Sequence, residues 1–87
     1  MMGKCFLCGR YANLEEHHVF GASRRKKSTK YKATVHLCHW CHNEPPDGVH
    51  HNKTTWEFLQ EKFQYKLMEE QGWTTADFIR EFGKSYI

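Results

Sequence analysis

The 87-residue chain has no apolar run near the roughly 18 residues that a membrane-spanning helix needs, which excludes a transmembrane protein. Met1-Met2-Gly3-Lys4 runs straight into Cys5 without an apolar leader, so no secretion signal is expected, and a reducing, cytoplasmic setting is. Proline is confined to Pro45-Pro46, and neither repeats nor low-complexity tracts occur. Acid is missing from residues 24 to 32, where Arg24, Arg25, Lys26, Lys27, Lys30 and Lys32 stand. Apolar bulk is also scarce. A chain this short buries only about 60% of its unfolded surface and usually needs a staple such as disulfides or a metal. Thirteen aromatics nevertheless argue for a folded chain, and the length allows one small domain.

The formal net charge of +3 hides an asymmetry. Residues 57 to 81 carry Glu57, Glu61, Glu69, Glu70, Asp77 and Glu81 against Lys62, Lys66 and Arg80. The basic run suits a polyanion, nucleic acid being the commonest, although a solvated loop has the same composition. All seven histidines fall between residues 17 and 51, which marks that half as the working half, because histidine is the common metal ligand and neutral-pH acid–base.

Short strands are expected over 14–20 and 33–37, with a loop or irregular helical turn across 23–32. His39 to Asn43 begins a helix that Pro45-Pro46 must stop. A long helix is expected from Asn52 or Thr54, with Thr54 and Glu57 as a capping box. Trp56, Leu59, Phe63 and Leu67 recur along it as a core stripe, and Gly72 ends it. A last helix from Thr74, with Asp77 three residues on, is expected to bury Phe78, Ile79 and Phe82.

Cys5-x-x-Cys8 and Cys38-x-x-Cys41 form two knuckles with 29 residues between them. Two such knuckles complete a closed four-sulfur zinc site, whose binding energy becomes folding energy. A pair of disulfides would suit a secreted protein, and a redox CxxC a thioredoxin-like pattern that is absent here. Structural zinc is therefore the expected cofactor.

Between the knuckles lies Leu14-Glu15-Glu16-His17-His18-Val19-Phe20, and His42 follows the second knuckle directly. Together these resemble the HNH endonucleases, whose fold is the ββα-metal (His-Me) finger, over residues 5 to 52; many members carry the same two knuckles. Gly48-Val49-His50 before a helix is also similar to small phage-type members. The resemblance implies an α+β fold: a small ββα-metal finger with a zinc knuckle over 5–52 and a C-terminal helical extension over 53–87. It implies metal-dependent hydrolysis of DNA phosphodiesters with low sequence specificity, leaving a 5′-phosphate and a 3′-hydroxyl. His18 would be the general base, and Glu15 would orient a histidine. His17 and His42, with His50 as third ligand, would hold one divalent cation (Mg²⁺, Mn²⁺, Ni²⁺ or Zn²⁺). The family's middle Asn has no counterpart between residues 21 and 36, where Thr34 or His36 would take its place.

The implied partner is DNA, met through backbone phosphates by the run from Arg24 to Lys32, in a bacterial or phage-infected cell. A third reading is a component of a larger phage packaging or recombination complex, for which the acidic helices 57–71 and 75–82 offer a docking surface, although such faces are more often simply solvated. The alternative is a non-catalytic zinc module that binds DNA or protein. His39 and His51 are expected at the surface, and His36 is as consistent with structure as with function.

Overall fold

A computed structural model describes all residues, Met1–Ile87, and the fold is α+β. Two small antiparallel sheets carry the two halves of the site. The first is a hairpin of β1 (Met2–Lys4) and β2 (Tyr11–Asn13), in register Gly3 opposite Ala12. Its turn is the first knuckle: Cys5 N–H donates to Arg10 O at 2.9 Å and Gly9 N–H to Cys5 O at 2.9 Å. This hairpin was not expected, because three-residue strands are too short to display alternation.

The second sheet pairs β3 (Glu15–His18) with β4 (Thr34–Leu37), with His17 opposite Val35 and His18 opposite Thr34. The basic stretch between them is ordered helix rather than loop. A 3-10 turn over Ala22–Arg24 leads into α1 (Arg25–Lys30). Its anchor is the buried Ser28, whose hydroxyl accepts from Phe20 N–H at 2.9 Å and donates to Phe20 O at 2.7 Å. These two hydrogen bonds replace the ladder partners Phe20 loses where β3 ends.

Next come α2 (His39–Asn43), a 3-10 turn over Val49–His51, and α3 (Lys53–Gln71). Gly48 lets the chain fold back tightly on α2. A Cβ there would lie 2.7 Å from Glu44 N and 2.9 Å from Asn43 N. The cap of α3 is Asn52, whose side chain accepts from Thr55 N–H at 3.1 Å, so the expected Thr54–Glu57 capping box does not form. Gly72, in the left-handed region at φ 68°, ends the helix as expected. The last helix, α4 (Thr75–Phe82), opens with the expected Thr74–Asp77 capping box.

Leu59, Phe63 and Leu67 of α3 join Val19, Phe20, Phe78 and Phe82 in one core cluster. Phe20 sits 4.6 Å from Phe82 and 5.5 Å from Phe78, centroid to centroid, so α4 clamps the end of the site strand. Ile79 was expected inside but is 40% exposed, because Phe78 and Phe82 are four apart and already take the inward face. No helix is long and apolar enough to cross a membrane.

Candidate metal centres

The four cysteines converge. Phe6 N–H donates to His36 O at 3.0 Å and lands the first knuckle on β4, next to the second knuckle at the start of α2. All four sulfurs lie within 4.8 Å of one another, with Cys8 Sγ 3.7 Å from Cys38 Sγ. A tetrahedral ion about 2.3 Å from each sulfur sets neighbouring sulfurs about 3.8 Å apart, whereas a disulfide needs about 2.05 Å. The cysteines are unbridged, and the cluster is compatible with a structural ion such as zinc. Burial raises the Cys5 thiol, but hydrogen bonds from the backbones of Cys8, Cys38 and Leu7 outweigh it and hold the group down at about 6. Burial, then the neighbouring Cys38, Cys5 and Cys8 sulfurs, push the Cys41 thiol up.

The second centre is built from histidines. His17 projects from β3 to the buried side, only 2% exposed, and meets His42 of α2 and His50 of the second 3-10 turn. A ligand nitrogen from each of the three lies within 4.8 Å of the other two. His17 Nε2 is the one buried side-chain nitrogen or oxygen in the protein without a hydrogen-bond partner. Buried polar atoms are rarely left so, and an orphan here asks for a ligand. His42 Nε2 and His50 Nε2 are 2.9 Å apart. Burial first, then the neighbouring His50, His42 and His18, lower the His17 imidazole to about 4, the neutral form a metal requires. Burial first, then His42 and His51, also lower His50.

Glu15 supports this centre from the same strand. Its Oε1 accepts from His42 Nδ1 at 2.8 Å and from Asn43 Nδ2 at 3.0 Å, which turns the lone pair of His42 Nε2 toward His17 and His50. The bond from His42 is the main cause of a lowered Glu15 carboxyl. His39 reaches Glu15 Oε2 at 3.4 Å and Glu44 Oε1 at 2.7 Å, outside the centre. His51 is exposed, and His36 faces away across β4.

His18 points to the other side of β3, as strand alternation demands, yet both histidines line one cavity of about 310 Å³ with His42, His50 and Arg25. The strand ends at His18, so the chain turns away and leaves that side open. Both ring nitrogens of His18 are engaged. Arg25 Nε donates to Nδ1 at 3.3 Å, which leaves Nε2 as the N–H that meets Thr29 Oγ1 at 3.0 Å. The residues that steady His18 are thus Thr29 and Arg25 of α1. Thr34 and His36 do not contact its ring nitrogens.

Two site residues escaped the sequence reading. Trp56 was placed in a core stripe. Its ring instead packs edge-on against His17 at 4.9 Å and His50 at 5.0 Å, and its indole N–H donates to Val19 O at 2.7 Å. Its place in the first turn of α3, beside the histidine-bearing 3-10 turn, was the available signal. Thr29 carries no motif and had none.

The cations of the basic run divide. Arg25 and Lys26 flank His18. Lys27 pairs with Glu81 of α4, and the Arg24 guanidinium lies against Gly83. Lys30 and Lys32 face a different hollow, beside α3. No protein-family model, no curated protein and no solved structure matches this chain.

Proposed function

We propose that this protein is an HNH-type, metal-dependent endonuclease or nickase that hydrolyses DNA phosphodiesters with little sequence preference. The observation that carries this reading is the partnerless, buried Nε2 of His17 beside His42 and His50, at the wall of an open cavity that His18 also lines. The succession of β3, β4 and α2 around it is similar to a ββα-metal finger. A structural zinc on Cys5, Cys8, Cys38 and Cys41 would hold this unit together.

His17, His42 and His50 fit one divalent cation, which supplies neutralisation of the charge that builds on the phosphate and the leaving oxygen. Three protein ligands leave positions open for substrate, unlike the closed four-sulfur site. Glu15 fixes the tautomer of His42. His18 takes the proton from the attacking water. Arg25 lies over the Nδ1 lone pair that this step needs. A phosphodiester is a stronger partner for a guanidinium than a neutral imidazole is, so binding of the backbone draws Arg25 away and frees Nδ1. Lys26 adds a phosphate contact beside it.

Plasmid nicking by zinc-loaded protein, with Mg²⁺, Mn²⁺ or Ni²⁺ added in turn, tests the reading. His18→Ala should lose roughly 10²–10⁴-fold in rate and keep its DNA affinity, because a base acts on the barrier and not on the ground state. Equal nicking by His18→Ala would overturn the mechanism. A wild type that never nicks with any ion leaves the protein as a zinc-built binding module.

A further inference from the structure

A second surface, sharing no residue with the histidine cavity, lies where the first knuckle, β4 and α3 meet. Two adjoining hollows of about 290 and 370 Å³ share Lys32, Phe63 and Lys66. Lys4 and His36 line the first, which Phe6 also borders, and Lys30 extends the second. Four lysines from three separate parts of the chain thus face one carboxylate, Glu70. None of the four is in an ion pair; Lys27 is the only lysine that is.

The aromatic component is as specific as the charge. Phe6 is 46% exposed although it stands inside a rigid knuckle, between two sulfur ligands and with its amide bonded to His36 O at 3.0 Å. Its ring lies 6.3 Å from that of the buried Phe63, centroid to centroid and tilted by 48°. Lys66 Nζ lies 5.2 Å from the Phe63 ring centroid. Lys32 adds an independent sign. It sits in the left-handed region at φ 58°, where glycine or asparagine is the economical residue. The side chain on this strained turn is exposed and lines both hollows.

We infer that this hollow binds a single-stranded nucleic-acid segment, with Phe6 as the stacking platform for one base and Lys4, Lys32 and Lys66 on its phosphates. Cations flanking an exposed ring are the combination that single-strand binders use. A duplex keeps its bases stacked inside and would leave the Phe6 face without a partner. The inference extends the nuclease reading to a strand held apart from the cleavage site, and its test involves no cleavage.

The test is fluorescence anisotropy with a labelled oligothymidylate of about 12 nucleotides, on zinc-loaded full chain without other divalent ions. Competitors are a duplex of equal length, inorganic polyphosphate and polyglutamate. The single strand should bind tighter than all three. Phe6→Ala should weaken the single strand roughly 5- to 150-fold and leave polyphosphate affinity unchanged. Lys32→Gly and Lys66→Ala should each lower the log–log salt slope by about 0.7. Lys32→Gly should also keep or raise the melting temperature, because it relieves the left-handed backbone while it removes the charge. That opposition does not depend on Phe6→Ala keeping its knuckle intact.

Equal affinity for polyphosphate or duplex, tighter binding of polyglutamate, or wild-type salt slopes in both lysine variants overturns the inference. Plasmid nicking with no such single-strand binding removes this surface alone. Single-strand binding without nicking removes the nuclease reading alone.

Discussion

The two clusters of metal-ligating side chains are built to opposite specifications. Each gathers its ligand atoms within 4.8 Å. The cysteine cluster gathers four sulfurs from two knuckles, with Cys5 and Cys38 buried, as many as a closed tetrahedral site takes. The histidine cluster supplies three nitrogens at the wall of a cavity, with His17 buried and His50 exposed. Their support differs in the same sense. The first knuckle is the turn of the β1–β2 hairpin and the second opens α2, so that centre is part of the chain's own path. A carboxylate, Glu15, and an indole, Trp56, hold the histidines, so that centre can be tuned one side chain at a time. An ion on the first would be fully coordinated by protein, whereas one on the second would keep positions open.

The largest effect should come from breaking the closed centre. Cys38→Ser should lose zinc by elemental analysis and its folded circular dichroism at 25 °C. A structural zinc is worth about 10–16 kcal/mol, against a total stability of about 5–15 kcal/mol for a domain. A variant that melts within a few degrees of wild type would mean that the core stands without the ion. Breaking the open centre should do the reverse. His17→Ala should keep one zinc per chain and its fold, yet weaken binding of a second ion, titrated as Mn²⁺, by at least roughly 100-fold. Its stability should fall by about 1–3 kcal/mol, since a cavity opens but an unpartnered buried nitrogen goes with the ring. Unfolding of His17→Ala at 25 °C would merge the two centres into one.

That contrast also explains what could be read from sequence. The closed centre was legible because CxxC spacing is local, and a knuckle determines its own geometry. β3, β4, α2 and the Thr74 cap of α4 were legible for a similar reason: each follows from adjacent residues. Ligands that meet only through the fold were harder. His50 meets His42 because Gly48 permits a backbone approach that no periodicity encodes. Trp56 obeys the helical stripe in spacing but stands one turn too early to reach the core, so it covers the histidines instead. The basic run looked uniform as a string of charges. Helix α1 then gave each cation a different neighbour, and Lys27 went to Glu81.

Gly48→Ala sharpens the comparison without altering any ligand side chain. The new methyl would meet Glu44 and Asn43 backbone, which cannot rotate away. The 3-10 turn carrying His50 must shift, at a cost of about 1–3 kcal/mol. Affinity for the second ion should drop roughly tenfold, while zinc on the cysteines is retained. Equal second-ion affinity in calorimetry would show that His50 is not a ligand in solution.

The smallest effect should come from Thr29→Val, which leaves both centres alone. Thr29 Oγ1 receives the His18 Nε2 proton at 3.0 Å and passes its own to Arg25 O at 3.3 Å. It therefore fixes the His18 ring and ties it to the helix that carries Arg25. Valine keeps the shape and removes both bonds. A neutral hydrogen bond is worth about 0.5–1.5 kcal/mol net, so nicking should slow about two- to tenfold. Both ions should bind as in wild type, because Thr29 touches neither cluster. Thr29→Ser keeps the hydroxyl and should restore the rate, which a packing role for the methyl would not allow. Thr34→Val, across the ladder from His18 but outside its ring contacts, should leave the rate unchanged. Equal rates for Thr29→Val and wild type would leave Arg25, with the Glu16 carboxylate 3.7 Å from Nε2, to steady the His18 ring.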